Sequence, residues 1–260
     1  MSDPDSLVLC TRPALHVLQL TLNRPQKRNA LSNALIAELA AALDRAEQDP
    51  DIRCAVLCGR SDIFSSGADI GEMRDRGFEA IDNAARRHAW NRIAHFPKPL
   101  IAAVDGKAYG GGHELALLAD ITIAGSGATF AQPEITIGIL PGDGATQRLA
   151  RTAGKSLTML MVLTGEPIDA ATAFQAGLVA EVVDDAAALA RALDIARCIA
   201  GKSPRAARLA KEAVLAAFET TLSAGLAAER WAIRQAFTTP DQREGMAAFF
   251  EKRAPRYEDG

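Results

Sequence analysis

The sequence predicts an α/β fold with parallel strand pairing, and three features of the chain support this prediction. Strand-like and helix-like segments alternate as far as Val183, the order typical of parallel sheets covered by helices. Short, uninterrupted apolar runs at 54–58 and 99–104 are typical of buried strands. Over residues 186–252 the pattern is helical almost throughout, and these alanine-rich helices have wide apolar faces. We expect part of that surface to meet another subunit.

Composition excludes several classes of protein. The chain has 260 residues, 48% of them hydrophobic, which is enough for a sizeable core. A net charge of −3 and 5% aromatic residues argue against a nucleic-acid partner. The first six residues do not resemble a signal peptide, and no apolar run reaches the ~20 residues needed to cross a bilayer. We therefore expect a cytoplasmic protein with no membrane contact and with its four cysteines reduced.

Cys54 and Cys58 are the two cysteines closest together in the chain. Four steps along a strand separate them by roughly 13 Å, which is too far for both to bind one metal ion. They are interpreted as core residues, and we expect no metal site.

The chain begins with a strand followed by a helix. Residues 15–22 alternate in the strand manner and end at a turn containing Pro25. Ser32 is a good N-cap, and the apolar residues after it keep helical spacing to about Gln48. The buried strand at 54–58 comes next.

Residues 64–70 combine small side chains with an acid, directly after a strand and a polar turn. Small residues permit close approach of a ligand to the backbone, although an ordinary turn into a helix fits the pattern as well. Residues 72–95 are polar and charged, and they predict a flexible segment followed by an amphipathic helix through Trp90 and Ile93.

The most informative stretch follows the strand at 99–104. Three consecutive glycines, 110–112, can turn tightly or leave the backbone bare against a ligand. Glu114 then lies in the first turn of a helix that the apolar run 115–119 predicts to be buried on every side. Unpaired N–H groups and the helix dipole can hold a negative charge there, so the stretch suits stabilisation of an oxyanion. Triple glycines also make plain loops, and a glutamate in a first turn often only caps it.

A second acid, Glu134, follows a predicted strand at 120–124 and a proline. The apolar residues 135–140 are expected to bury its surroundings and to raise its pKa. Pro141 then opens a turn into another helix.

Five motifs occur together in one order along nearly the whole chain. They are Asn23-Arg24-Pro25, Ser66-Gly67-Ala68-Asp69-Ile70, the stretch from Ala108 to Glu114, Gln132-Pro133-Glu134, and the stretch from Pro141 to Leu149. In this order they resemble the crotonase family, also called the enoyl-CoA hydratase/isomerase family. Within it, the sequence is most similar to the short-chain enoyl-CoA hydratases.

The resemblance implies a crotonase-like spiral of ββα units with a C-terminal helical trimerisation region. Residues 1–200 would form the spiral core with the active site, and residues 201–260 the helical region used in oligomerisation. The implied assembly is a homotrimer or a hexamer made of two trimers.

The resemblance also implies the chemistry. Backbone N–H groups of Ala68 and Gly111 would form an oxyanion hole for the thioester oxygen of an acyl-CoA substrate. Glu114 would orient and activate a water molecule, and Glu134 would donate the proton to the α-carbon. This describes an enoyl-CoA hydratase, with an enoyl-CoA isomerase as the alternative. A non-enzymatic or RNA-binding member is a third reading, which the acidic charge and the pair of glutamates oppose.

Substrate contacts are likewise carried over from the family. Lys252 would reach the phosphates of CoA bound to a neighbouring subunit. CoA belongs to the substrate, so no separate cofactor is expected. Lys27, Arg28 and Lys252 could also be plain surface charges. The residues expected to contact CoA within the subunit are Lys27, Arg28, Ser66, Ala68, Asp69, Ile70 and Gly111.

Two positions depart from the family pattern. His113 stands where many hydratases carry Cys or another small residue, and it is expected to pack against the adjoining strand. Asp143 stands where Ala is more usual, and its simplest role is to cap the next helix by accepting the N–H of Ala145 or Thr146. The alternative is that the Asp143 carboxylate faces the acyl pocket near Glu134, raises the coupled pKa values and selects a polar acyl group. Ala145 likewise replaces a more usual Gly.

Overall fold

The computed structural model describes residues 5–60 and 62–258. Within these ranges the chain forms two sheets surrounded by α-helices. The strands are β1 (Val8–Ala14), β2 (Val17–Leu22), β3 (Cys54–Cys58), β4 (Ile63–Ser65), β5 (Leu100–Val104), β6 (Lys107–Tyr109), β7 (Ile121–Gly125), β8 (Thr129–Ala131), β9 (Ile168–Asp169) and β10 (Glu181–Val183). The helices are α1 (Asn33–Gln48), α2 (Ile70–Met73), α3 (Ala84–Ala94), α4 (Gly111–Ala116), α5 (Ala145–Thr152), α6 (Gly154–Thr164), α7 (Ala170–Gln175), α8 (Ala188–Ala200), α9 (Pro204–Ala216), α10 (Leu222–Ala236) and α11 (Pro240–Glu251).

The larger, six-stranded sheet carries most of the hydrophobic core. Its order is β1-β2-β3-β5-β7-β10, in which β1 and β2 form an antiparallel hairpin and the remaining neighbours pair in parallel. The predicted parallel α/β architecture is therefore confirmed. Side chains of β3 and β5 are buried on both faces, which explains their uninterrupted apolar sequences.

A second, four-stranded sheet has the order β4-β6-β8-β9. The chain places β3, β5 and β7 in the larger sheet and the strand after each of them in the smaller one. Helices follow each such pair of strands. This repetition is the spiral of ββα units that the family resemblance implies, and it places the ends of β4 and β6 beside one another.

Helices cover the two faces of the larger sheet with side chains of different size. Leu35, Leu39 and Leu43 of α1 are buried in the core on one face, and Ser32 caps this helix by accepting the Leu35 N–H. On the other face, α8 presents alanines at every fourth position, which let the helix approach β3 and β5 closely. The segment expected to be flexible begins within α2 and contains a 3₁₀ turn, and α3 follows as predicted.

The C-terminal helices leave large apolar side chains on the surface. Leu222 and Phe250 are each at least 80% exposed in the single chain. Other exposed members are Val214, Trp231, Ile233, Phe237 and Phe249. No helix of residues 5–60 and 62–258 is long and apolar enough to cross a membrane.

Candidate active site

Two backbone N–H groups lie side by side where β4 and β6 end. Ala68 lies between the bonds Leu31 N–H to Gly67 O (2.7 Å) and Asp69 N–H to Leu31 O (3.4 Å), so its own N–H points away from this pairing. Gly111 is the first residue of α4, where an N–H group has no acceptor within the helix. A Cβ atom built on Gly111 would lie 3.5 Å from the Ala68 nitrogen. The structure thus brings together the two amides assigned to the oxyanion hole.

Close packing explains the glycines around these amides. Gly110 has φ 53° and ψ −128°, a conformation that only glycine adopts without strain. A Cβ atom on Gly112 would lie 2.6 Å from the Ser65 carbonyl oxygen, well inside van der Waals contact. Glycine therefore lets α4 start directly against β4.

The Glu114 side chain is buried in α4 and is held by the loop before α5. Its Oε1 accepts the backbone N–H groups of Asp143 at 2.8 Å and of Ala145 at 2.9 Å. The pKa of Glu114 is raised to about 7: burial is the largest cause, the negative charges of Asp143 and Glu134 add to it, and the two amide hydrogen bonds oppose it. A carboxyl group with this pKa can hold or release a proton near neutral pH.

The Glu134 side chain approaches the same glycine turn from the 3₁₀ turn at Pro133–Ile137. A Cβ atom on Gly110 would lie 2.8 Å from Glu134 Oε1, and one on Gly111 would lie 3.9 Å from Glu114 Oε2. The two carboxyl groups therefore converge on one turn. Burial raises the pKa of Glu134 first, and the charge of Asp143 adds to it.

The sequence predicted the direction of the Glu134 pKa shift but gave the wrong reason for it. The apolar side chains of residues 135–140 do not enclose this acid, since Ile137 and Leu140 are 53% and 70% exposed in the single chain. The carboxyl group is instead enclosed by the glycine turn and by the buried Gln132. Apolar composition alone did not indicate on which side of Glu134 those residues would lie.

His113 and Gln132 form a buried contact beside Glu134. The imidazole ring packs against Phe130 of β8, with ring centroids 5.2 Å apart. This agrees with the expectation that His113 packs against a strand. Its Nδ1 also lies 3.2 Å from the side-chain amide of Gln132, a contact that the sequence did not reveal. Burial lowers the pKa of His113 to about 3, so the ring is neutral at physiological pH.

The prediction that Asp143 caps α5 is wrong. The cap position is Gly144, with φ 119° and no side-chain hydrogen bond, and the Ala145 N–H donates to Glu114 instead. The Asp143 carboxylate forms a salt bridge with Arg86 of α3, whose guanidinium also lies 5.4 Å from the Trp90 ring centroid. The alternative interpretation fits better, because the Asp143 charge raises the pKa of both glutamates.

The loop with the expected CoA contacts is well anchored. The Ser66 N–H donates to Arg28 O at 3.1 Å, which places the loop of Lys27 and Arg28 against the segment that leads to Ala68. Asp69 caps α2 and forms a salt bridge with Arg24 at 2.6 Å, which lowers the pKa of its carboxyl group.

Side chains able to meet a ligand flank this loop. Lys27, Arg28 and Ile70 are exposed there. Lys252 is exposed directly after α11, and its contact with a neighbouring subunit's CoA stays a prediction. Within the described ranges, no three His, Cys, Asp or Glu side chains converge to hold a metal ion.

Comparison with known proteins identifies the family. A family model described as enoyl-CoA hydratase/isomerase matches residues 14–260. The 2,3-dehydroadipyl-CoA hydratase of Escherichia coli is 48% identical over 93% of this chain and 94% of its own length. A mitochondrial enoyl-CoA hydratase of Pongo abelii is 47% identical over 92% of this chain and 83% of its own length.

Solved structures agree with the sequence comparison. The crystal structure of an enoyl-CoA hydratase from Bacillus anthracis superposes with a TM-score of 0.90 at 36% identity, covering 98% of this chain and all of that one. The solved structure of Pseudomonas aeruginosa DspI superposes with a TM-score of 0.92 at 34% identity, covering 99% of this chain and 98% of that one. Since sequence and fold agree over nearly its whole length, this chain belongs to the enoyl-CoA hydratase/isomerase family.

Proposed function

We propose that this protein is an enoyl-CoA hydratase that adds water across the α,β double bond of a 2-enoyl-CoA to give a 3-hydroxyacyl-CoA. The observation that carries the proposal is the convergence of two carboxyl groups, the buried one of Glu114 and the half-buried one of Glu134, on the turn that presents the Gly111 amide beside that of Ala68. Relatives with hydratase names at 44–48% identity support the same reaction.

The two amides act on the thioester. As water adds to the β-carbon, negative charge moves to the thioester oxygen, and the Ala68 and Gly111 N–H groups stabilise that enolate. Such donors lower the barrier because they are already oriented and need no rearrangement during the reaction. Glycine at 111 keeps the approach free of side-chain atoms.

The two glutamates hold and activate the water molecule. Glu114 accepts a proton from water as its hydroxyl group bonds to the β-carbon, and Glu134 delivers a proton to the α-carbon. The pair starts and ends with one proton in total, so the atoms of one water molecule are added without net charge. A pKa near 7 for Glu114 and a raised pKa for Glu134 suit this sharing, and the proton belongs to the pair rather than to either residue.

The substrate and assembly follow the same proposal. Lys27, Arg28, Ser66 and the Ala68-Asp69-Ile70 segment would contact CoA, and Lys252 would reach CoA held by a neighbouring subunit. CoA is part of the substrate, so we propose no separate cofactor. The exposed apolar faces of the C-terminal helices support a homotrimer or hexamer. We propose a cytoplasmic protein without nucleic-acid partners.

Replacing either glutamate by glutamine tests the assignment directly. Glu114→Gln and Glu134→Gln should each lower kcat by at least ~10², because both groups transfer protons in the transition state. CoA affinity should change little, since neither carboxyl group is assigned to the CoA moiety. Loss of enoyl thioester absorbance, followed over a panel of acyl-CoAs, measures the rate.

Glu181→Gln is the matched control, because Glu181 pairs with Arg191 away from the glycine turn. Its kcat should equal that of the wild type. A near wild-type rate for either active-site variant on the best acyl-CoA contradicts that residue's role. Mass spectrometry separates the alternative activity, because hydration adds one water to the substrate mass whereas a double-bond shift leaves it unchanged.

A further inference from the structure

The buried side-chain amide of Gln132 lies between His113 and Glu134. One end of the amide is 3.2 Å from His113 Nδ1, and the other end is 3.2 Å from each carboxylate oxygen of Glu134. Gln132 and His113 are at most 1% exposed. A polar side chain enclosed to this degree must satisfy its hydrogen bonds with these neighbours.

The hydrogen-bonding capacity of Glu134 sets the direction of the amide. The oxygens of an ionised Glu134 only accept hydrogen bonds, and a protonated Glu134 still accepts at its carbonyl oxygen, so an amide NH₂ facing Glu134 and an amide oxygen facing His113 suit both states. In the reverse orientation, the amide oxygen would face two ionised oxygens with no donor between them, or would bind the O–H that a protonated Glu134 has to give to the α-carbon. The orientation follows from hydrogen-bonding capacity.

The amide oxygen in turn fixes the tautomer of His113. A neutral imidazole carries one ring hydrogen, and only a hydrogen on Nδ1 can satisfy the Gln132 oxygen 3.2 Å away. The ring cannot swing out of this position, since it is buried and packed against Phe130. The hydrogen bonds therefore run in one direction, from His113 through Gln132 to Glu134.

We propose that His113 is a positioning residue for Glu134, acting through Gln132. Its Nδ1–H holds the Gln132 amide in the orientation that donates to the Glu134 carboxylate, and this fixes the carboxyl group at the glycine turn. A small misplacement of a reacting group lowers the rate steeply, so a hydrogen bond that keeps Glu134 in place should raise kcat. The kinetic part of the inference rests on the proposed hydratase function, whereas the tautomer can be read without any activity.

Four variants test the kinetic part. His113→Leu and Gln132→Met each remove one donor from a buried site while roughly keeping its volume. Each should lower kcat about tenfold and leave KM within about twofold of the wild type, because the substitution disturbs the orientation of Glu134 and not the binding of substrate. His113→Asn keeps an N–H near the position of Nδ1 and should retain most of kcat.

The double variant His113→Leu/Gln132→Met tests the coupling. It should be no slower than Gln132→Met alone, since both changes break one chain of hydrogen bonds. Multiplied losses in the double variant, or a His113→Leu enzyme with unchanged kcat, overturn the inference. So does a His113→Asn enzyme as slow as His113→Leu.

Nitrogen NMR of the wild-type protein labelled at its four histidines supplies the second measurement. The His113→Asn spectrum identifies the His113 signals, and the imidazole nitrogen shifts distinguish the two tautomers. We expect the Nδ1–H form. An Nε2–H form overturns the inference even if no variant other than His113→Asn folds. Failure of the wild type to hydrate any acyl-CoA contradicts the proposed function. The NMR measurement of the tautomer still tests the hydrogen bond between His113 and Gln132 in that case.

Discussion

Asp143 acts on the two glutamates through two different groups. Its backbone N–H holds Glu114 Oε1, while its carboxylate raises the pKa of Glu114 and Glu134. Arg86 pairs with that carboxylate from α3, and Arg148 donates to the Asp143 carbonyl oxygen at 3.2 Å. The field at the carboxyl pair is therefore a balance between Asp143 and the two arginines.

Removing the charge of Asp143 and removing the charge of Arg86 should shift the pH profile of kcat/KM in opposite directions. Asp143→Asn removes a negative charge, lowers the pKa values of the glutamate pair and shifts the kcat/KM profile to lower pH. Arg86→Met leaves that charge unpaired and shifts the profile to higher pH. The double variant should return close to the wild type, and identical profiles in all four proteins contradict this account.

Burial of Glu114 also makes stability depend on pH. Its folded pKa, about 7, exceeds the unfolded value of 4.5, so its favourable contribution is present below the unfolded pKa and is lost as pH rises through 7. Glu114→Gln keeps the Oε1 acceptor but cannot ionise. Its Tm should therefore exceed that of the wild type at pH 8 by more than at pH 5.5. Equal differences at the two pH values contradict the raised pKa.

At the scale of single elements, the start of α4 depends on close packing against β4. Gly112→Ala would place a Cβ atom 2.6 Å from the Ser65 carbonyl oxygen and 2.7 Å from its Cβ. We expect a loss of about 1–3 kcal/mol in the free energy of unfolding, as for other overpacked sites, together with a lower kcat because the Gly111 amide must move. Denaturant unfolding and steady-state kinetics measure the two effects.

Gly201→Ala is the control for that substitution. Gly201 has φ −80°, and a Cβ atom there meets only carbonyl oxygens at 3.5 and 3.6 Å. Its stability and kcat should stay close to the wild type. A Gly112→Ala enzyme as stable and active as Gly201→Ala would show that α4 can shift away from β4 without consequence.

The sequence predicted most elements because their signals are local. Apolar runs revealed β3 and β5, and the Ser32 cap with its helical spacing revealed α1. The contacts that tune the site are not local: Asp143 and Arg86 are 57 residues apart, and His113 and Gln132 are 19 apart. No periodicity encodes such pairs, so the same signals that suggested a cap at Asp143 could not reveal its partner on α3.

At the scale of the whole molecule, we expect the exposed apolar surface of the C-terminal helices to form the interface between subunits. Light scattering at micromolar concentration should give a mass that is a multiple of three times 27.5 kDa. Phe250→Asp should lower that mass, because Phe250 is 82% exposed on α11 and a charge there opposes burial in an interface. Leu15→Asp, at an equally exposed position between β1 and β2, should leave the mass unchanged. A wild-type monomer contradicts the assembly.

Glu114 links α4 to the start of α5 in addition to its role in proton transfer. The Asp143 and Ala145 N–H groups that bind its Oε1 stand at the entrance to α5, where a capping side chain is absent. A carboxylate accepts those bonds more strongly than a carboxylic acid does. The amide resonances of Asp143 and Ala145, at the start of α5, should consequently report the charge on Glu114.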